Sequence, residues 1–192
     1  LKGKRISTIV LMTFILLSLV WSAALLDRAG NYIRAQFGPG MTLEQRRISL
    51  PAKIKSQIEK KSRQRFFRRQ IYSWRIRNGN STMGYAMLDN VYGKTAPITF
   101  LVVFDTSGMI RSTVVLKYRE SHGGQVQNKV WLKQFTGRGQ ASKYRVGREV
   151  SAISGATISV NAMARGIKKL GLLFPFIRQS FKKQKGGDDA RN

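Results

Sequence analysis

The chain of 192 residues contains no cysteine. That excludes disulfides, thiolate-held iron–sulfur clusters, haem attached through a cysteine pair and thiol catalysis. It also leaves the redox compartment unreadable from cysteine usage. With a single histidine, His122, the chain has no histidine cluster for a metal. Acidic residues number only nine and are scattered, and no nucleophile stands with a base at a recognisable spacing, so independent catalysis is not expected. Redox chemistry in such a chain needs an organic cofactor.

Against those nine acids stand 35 lysines and arginines, a formal net charge of +26. The excess is spread along the chain: Arg46-Arg47, Lys60-Lys61, Arg68-Arg69, Lys168-Lys169 and Lys182-Lys183 all contribute. Such a field attracts acidic protein faces, anionic lipid or nucleic acid. The plain alternative is a set of solvated helix faces on a protein that complexes with acidic neighbours. No reader motif or interleaved aromatic platform accompanies the basic pairs, which disfavours nucleic acid.

Residues 6–26 form an uncharged, mostly apolar run. As a helix it would span roughly 31 Å at about 1.5 Å per residue, the thickness of a bilayer core. Lys2, Lys4 and Arg5 precede it and Trp21 lies near its far end. A single membrane anchor is expected, with the basic flank cytoplasmic and the remainder outside. Ser22-Ala23-Ala24 would suit a cleaved signal peptide. An uncleaved anchor is preferred because the chain retains the segment.

The chain is read as a basic flank (1–5), the anchor (6–26), a connecting segment with a helix (27–69), a domain over 70–172 whose bounds come from the resemblance given below, and a basic tail (173–192). Residues 27–50, with Gly30, Gly38, Pro39 and Gly40, read as mostly irregular. Pro51 opens a helix whose faces are marked by Ile54 and Ile58 against Lys53, Lys55, Glu59 and Lys60. Residues 71–76 alternate, Asn78-Gly79-Asn80 turns the chain, and residues 83–92 run extended. A hairpin is expected from 98–104 and 109–118 about the turn Asp105-Thr106-Ser107-Gly108. Residues 129–135 suggest a short helix. Val160, Met163, Ile167 and Leu170 recur at helical spacing, and the apolar 172–177 either packs under the sheet or rests on a membrane or partner. The sum is an α+β domain with an antiparallel sheet and packing helices, behind one transmembrane helix.

Ser154-Gly155-Ala156-Thr157 opens that last helix. A helix N-terminus offers unpaired amides and the positive end of the macrodipole, Gly155 and Ala156 admit close approach, and Thr157 adds a hydroxyl. The arrangement suits a phosphate. By local chemistry alone the ordinary cap and turn is the commoner reading.

Several segments in fixed order resemble the FMN-binding domain of the flavin-carrying subunits of the sodium-translocating NADH:quinone reductase and the Rnf complex, and of NosR-type regulators. They are Gly84-Tyr85-Ala86, the stretch from Tyr92-Gly93 to Ile98, Tyr118-Arg119-Glu120-Ser121 with Gly123, Trp131-Leu132-Lys133-Gln134-Phe135 with Gly137, and Ile153-Ser154-Gly155-Ala156-Thr157. Together they cover about residues 70–172. The resemblance implies FMN, joined through its phosphate to Thr157 by a flavin transferase that uses FAD, with Ser154, Gly155, Ala156, Ile158, Glu120 and Ser121 around it. It implies no metal. The family usually has Asp six residues before the acceptor, where this chain has Ser151, and Pro where it has His122. The implied function is a membrane-anchored electron carrier, a subunit rather than a stand-alone enzyme, working with other subunits and an acidic electron-transfer partner. It would sit in a bacterial inner membrane with its domain on the periplasmic side. The alternative is a degenerate FMN-binding domain serving as a structural or accessory subunit without covalent flavin.

Overall fold

A computed structural model describes residues 23–183. Helix α1 covers residues 23–37. There follow β1 (Thr42–Ser49), α2 (Ala52–Ser62), β2 (Gln70–Asn78), β3 (Ser81–Tyr92), β4 (Pro97–Phe104), β5 (Ile110–Lys117), a 3-10 turn (Gly124–Gln127), α3 (Lys129–Lys133) and α4 (Thr157–Lys183). The strands form one antiparallel sheet in chain order, β1-β2-β3-β4-β5. The expected α+β class holds. The stretch 6–26 lies outside the described residues except for 23–26, which begin α1. Among the described residues no helix is long and apolar enough to cross a membrane.

The central strands carry near-continuous apolar runs because both of their faces are covered. Ile98, Phe100, Val102 and Phe104 of β4 point into a core shared with Val160, Met163, Ile167, Leu170, Leu173 and Ile177 of α4. Leu101 and Val103 point the other way, into a smaller core with Trp74, Ile76, Ala86 and the α1 residues Ala29 and Ile33. Gly166 is where α4 comes closest to the sheet: a Cβ there would lie 2.5 Å from Val91 Cγ1 and 3.0 Å from Phe100 Cζ.

Residues 27–50 correct the expectation of an irregular connection. They hold the rest of α1 and the whole of β1. The apolar signal is weak there for a physical reason. Helix α1 covers one sheet face chiefly through Ala29 and Ile33, and β1 is an edge strand whose sequence, TLEQRRIS, is largely polar, as edges commonly are. Ion pairs anchor that edge instead. Glu44 pairs with Arg46 and Arg75, and these two guanidiniums lie 4.8 and 5.7 Å from the Phe181 ring near the end of α4. Arg75 also donates to the Phe181 carbonyl at 3.3 Å.

The hairpin turn is held by Asp105, whose carboxylate accepts from the amides of Ser107, Gly108 and Met109, each at 2.9 Å. The apolar segment 172–177 continues α4, with Leu173, Phe174 and Ile177 buried. Phe174 packs on Tyr85 and Phe104 at ring separations of 5.6 and 5.3 Å. Lys169, half of an apparent surface pair, is fully buried: its ammonium lies 2.8 Å from Asp89 Oδ2, donates to the Arg65 carbonyl at 2.7 Å and sits 4.4 Å from the centre of the Phe66 ring. Asp89 Oδ2 accepts no well-aligned hydrogen bond, so the contact is chiefly ionic.

Candidate functional site

Helix α4 begins at Thr157, where Gly155, in a left-handed conformation at φ 74°, ends a turn and redirects the chain. A side chain at Gly155 would meet open space, so backbone conformation, and not crowding, calls for glycine there. The Ala156 amide bonds back to the Ile153 carbonyl at 3.1 Å, and the Ala156 carbonyl accepts the first helical bond from Val160 at 2.9 Å. The amides of Thr157, Ile158 and Ser159 make no hydrogen bond among the described residues, and no acidic residue stands in the first turn. A helix of 27 residues thus presents an open, electropositive end.

That end forms one wall of a cleft of about 410 Å³. The opposite wall is the segment after β5, Glu120 to Gly123, and the floor includes Lys94 and Thr95 from the β3–β4 connection. Glu120 ties the walls together. Its carboxylate accepts from the Thr95 amide at 2.7 Å, the Ala96 amide at 3.0 Å and the Ser159 hydroxyl at 3.1 Å. Burial pushes this carboxyl up, but the amides of Ala96 and Thr95 and the Ser159 hydroxyl outweigh it and hold the group below the usual carboxylate range. Gly93 is the counterpart of this clamp: a Cβ there would fall 2.4 Å from Glu120 Oε1. Gly123, at φ 79°, keeps the far wall close, since a Cβ would come 3.0 Å from the Tyr118 hydroxyl and 3.4 Å from Ser159 Oγ. The Tyr118 hydroxyl donates to the His122 carbonyl, and Ser121 Oγ lies 2.9 Å from His122 Nδ1.

Of the residues singled out from sequence, Thr157, Gly155, Ala156, Ile158, Glu120 and Ser121 all line this cleft. Ser154 is exposed in the turn just before it and does not. Sequence reasoning matched the stretch 92–98 but did not single out Lys94 and Thr95, which the β3–β4 connection brings into the cleft. It also left out the part played by Ser159, whose side chain is buried and turned toward Glu120. Thr157 and Ile158 are exposed within the cleft, and Thr157 accepts the Asn161 amide through its carbonyl at 2.9 Å, leaving its hydroxyl without a partner among the described residues.

Two of the five matching segments lie elsewhere. Gly84-Tyr85-Ala86 sits on β3 beside Phe104, whose carbonyl would be 2.4 Å from a Cβ at Gly84. Trp131 and Gln134 line a separate shallow groove with Ser151. There the Trp131 indole donates to the Ser151 carbonyl at 2.9 Å and the Ser151 amide donates to Gln134 at 2.7 Å. These contacts hold the chain that leads into the Ser154–Thr157 turn. Among the described residues no group of acids and histidine gathers as a metal site.

No curated protein matches the chain. Among solved structures, the crystal structure of NqrC from Shewanella oneidensis is similar at a TM-score of 0.48 and 16% identity, over 72% of this chain and 81% of that one. The model of the FMN-binding domain family matches residues 93–170. The matched stretch runs from the glycine under Glu120 to the middle of α4 and so contains the whole cleft. Residues 93–170 are thus similar to the FMN-binding domain family.

Proposed function

We propose that the cleft holds FMN with its phosphate at the head of α4, joined to Thr157 by a phosphoester, and that the chain is an electron-carrying subunit of a membrane complex. The residues present fit such a group. A cleft of about 410 Å³ is within the range of about 300–1,000 Å³ usual for cofactor sites. The observation that carries the reading is the open end of α4: three amides and an exposed threonine hydroxyl that have no partner among the described residues. Such an end stabilises a phosphate, which a phosphoester leaves charged.

FMN, when bound, supplies a ring that takes up and releases electrons. The chain's own residues do the positioning. The α4 amides would hold the phosphate, and Lys94 in the cleft lining would add positive charge. Glu120 stays ionised and fixes the β3–β4 connection against α4, so the walls keep their spacing. Ser121 and His122 close the rim as a hydrogen-bonded pair. A tethered carrier of this kind exchanges electrons with protein partners and needs no pocket for a soluble substrate. The uncharged stretch 6–26 would supply the membrane anchor.

The competing reading, an accessory domain without covalent flavin, is favoured by Ser151. It stands where the family usually has Asp, and its side chain is exposed and makes no hydrogen bond among the described residues. Expression with a flavin transferase, followed by denaturing electrophoresis, separates the two. Covalent attachment predicts flavin fluorescence that migrates with the chain and is absent in Thr157→Ala, whereas the accessory reading predicts none in either.

A further inference from the structure

We infer that a basic groove beside the cleft is the docking site for a carboxylate-rich surface of a protein partner. The groove, of about 590 Å³, is larger than the cleft and lies between the end of α2, the segment 144–146 and the middle of α4. Lys60, Lys61, Arg63, Arg145, Arg165 and Lys168 line it. Arg145 is paired with Glu149 at 2.6 Å. The other five have no ion pair among the described residues.

Its position ties it to the cleft. Thr157, Asn161, Arg165 and Lys168 follow one another at helical spacing along the solvent side of α4. The groove therefore starts one turn from Thr157, and Lys168 is about 16 Å further along the axis at about 1.5 Å per residue. Five like charges gathered within a concavity repel one another over roughly a Debye length of 8–10 Å. Folding accounts for only part of the cluster. Lys60 and Lys61 complement the C-terminal end of the α2 dipole, but Arg165 and Lys168 are in mid-helix and serve no terminus.

The lining selects the class of occupant. No helix N-terminus opens into the groove; α2 brings its C-terminal end there, with Arg63 in the left-handed cap position. A compact anion such as phosphate would find carbonyls instead of converging amides. Tyr144 is the only aromatic residue in the lining and is buried, so nucleic-acid bases would find no stacking platform. Cations contributed separately by α2, the 145 region and α4 match carboxylates spaced along a protein surface. That this partner exchanges electrons rests on the FMN reading; the docking itself does not, so the two fail separately.

The test uses the full chain in detergent and a fluorescein-labelled twelve-residue oligoglutamate, read by anisotropy at about 0.1 M salt. Lys60→Glu/Arg165→Glu/Lys168→Glu is compared with Lys53→Glu/Arg68→Glu/Lys129→Glu, which makes the same charge change at exposed positions outside the groove. The groove variant should bind about tenfold more weakly than wild type, and the control within about threefold. Carbodiimide coupling of the peptide to wild type should label Lys60, Lys61 or Lys168, a readout that holds even if a variant folds poorly. Equal weakening in both variants, labelling spread over the other lysines, displacement of the peptide by millimolar inorganic phosphate, or tighter groove-dependent binding of a thymidine dodecamer would each overturn the inference.

Discussion

Glu120 shows how much of the site depends on one side chain. It joins the β3–β4 connection to the first turn of α4 through two amides and a hydroxyl, and those bonds keep its carboxyl below the usual range. A lowered folded value means the ionised form stabilises the fold above the unfolded pKa of about 4.3, and that contribution is lost as pH falls through the folded value. Glu120→Ala should therefore cost about 1–2 kcal/mol in urea unfolding at neutral pH. Glu120→Gln should differ from wild type at neutral pH and converge on it below about pH 4. Gly166 makes the opposite point. Alanine in mid-helix is worth about 1 kcal/mol more than glycine. A Cβ 2.5 Å from Val91 Cγ1 and 3.0 Å from Phe100 Cζ lies in closed space, and overpacking costs about 1–3 kcal/mol. Gly166→Ala should therefore lower the melting temperature, which differential scanning calorimetry would register.

At the scale of elements, α4 connects the cleft, the sheet and α2. Its middle is fixed by the buried Lys169–Asp89 pair. Removing one partner strands the other charge in the core, so Asp89→Ala should cost about 3–5 kcal/mol, measured by chemical unfolding. Sequence pattern exposed the helix itself, because Val160, Met163, Ile167 and Leu170 repeat at its period, and it exposed the β4–β5 hairpin through the Asp105 turn. It did not expose the burial of Lys169. A lysine beside a lysine looks solvated, and only the fold brings Asp89, 80 positions earlier, within 2.8 Å. Strand β1 escaped for a related reason: Glu44 and Arg46 act through pairs with distant residues, which no local alternation records. The cleft was legible where a motif lay in one segment, as at residues 154–158. At Lys94 and Thr95 the matching stretch 92–98 was legible but their place in the cleft was not, because strand pairing sets it.

The whole molecule carries a field set by 35 basic and nine acidic residues. Five of those acids, Glu44, Glu59, Asp105, Glu120 and Glu149, are held below their ordinary values, Glu149 at about 2 through its pairing with Arg145. In each case burial opposes the shift, and hydrogen bonds with neighbouring cations, amides or hydroxyls overcome it. Their stabilisation is present above pH about 4.5 and declines as pH falls below it, while protonation also strips the negative charges that offset the positive field. Circular dichroism should show a stability plateau near neutrality and acid unfolding below about pH 4. The same field gives the molecule its expected partners, while the chemistry of the account is concentrated on one hydroxyl at the head of α4. The intact mass of the chain, purified from cells that also make a flavin transferase, tests it most directly. The account predicts an increase equal to one esterified FMN, located on the peptide containing Thr157 and absent from Thr157→Ala; an unchanged mass, in cells that modify a control FMN-acceptor protein, would contradict it.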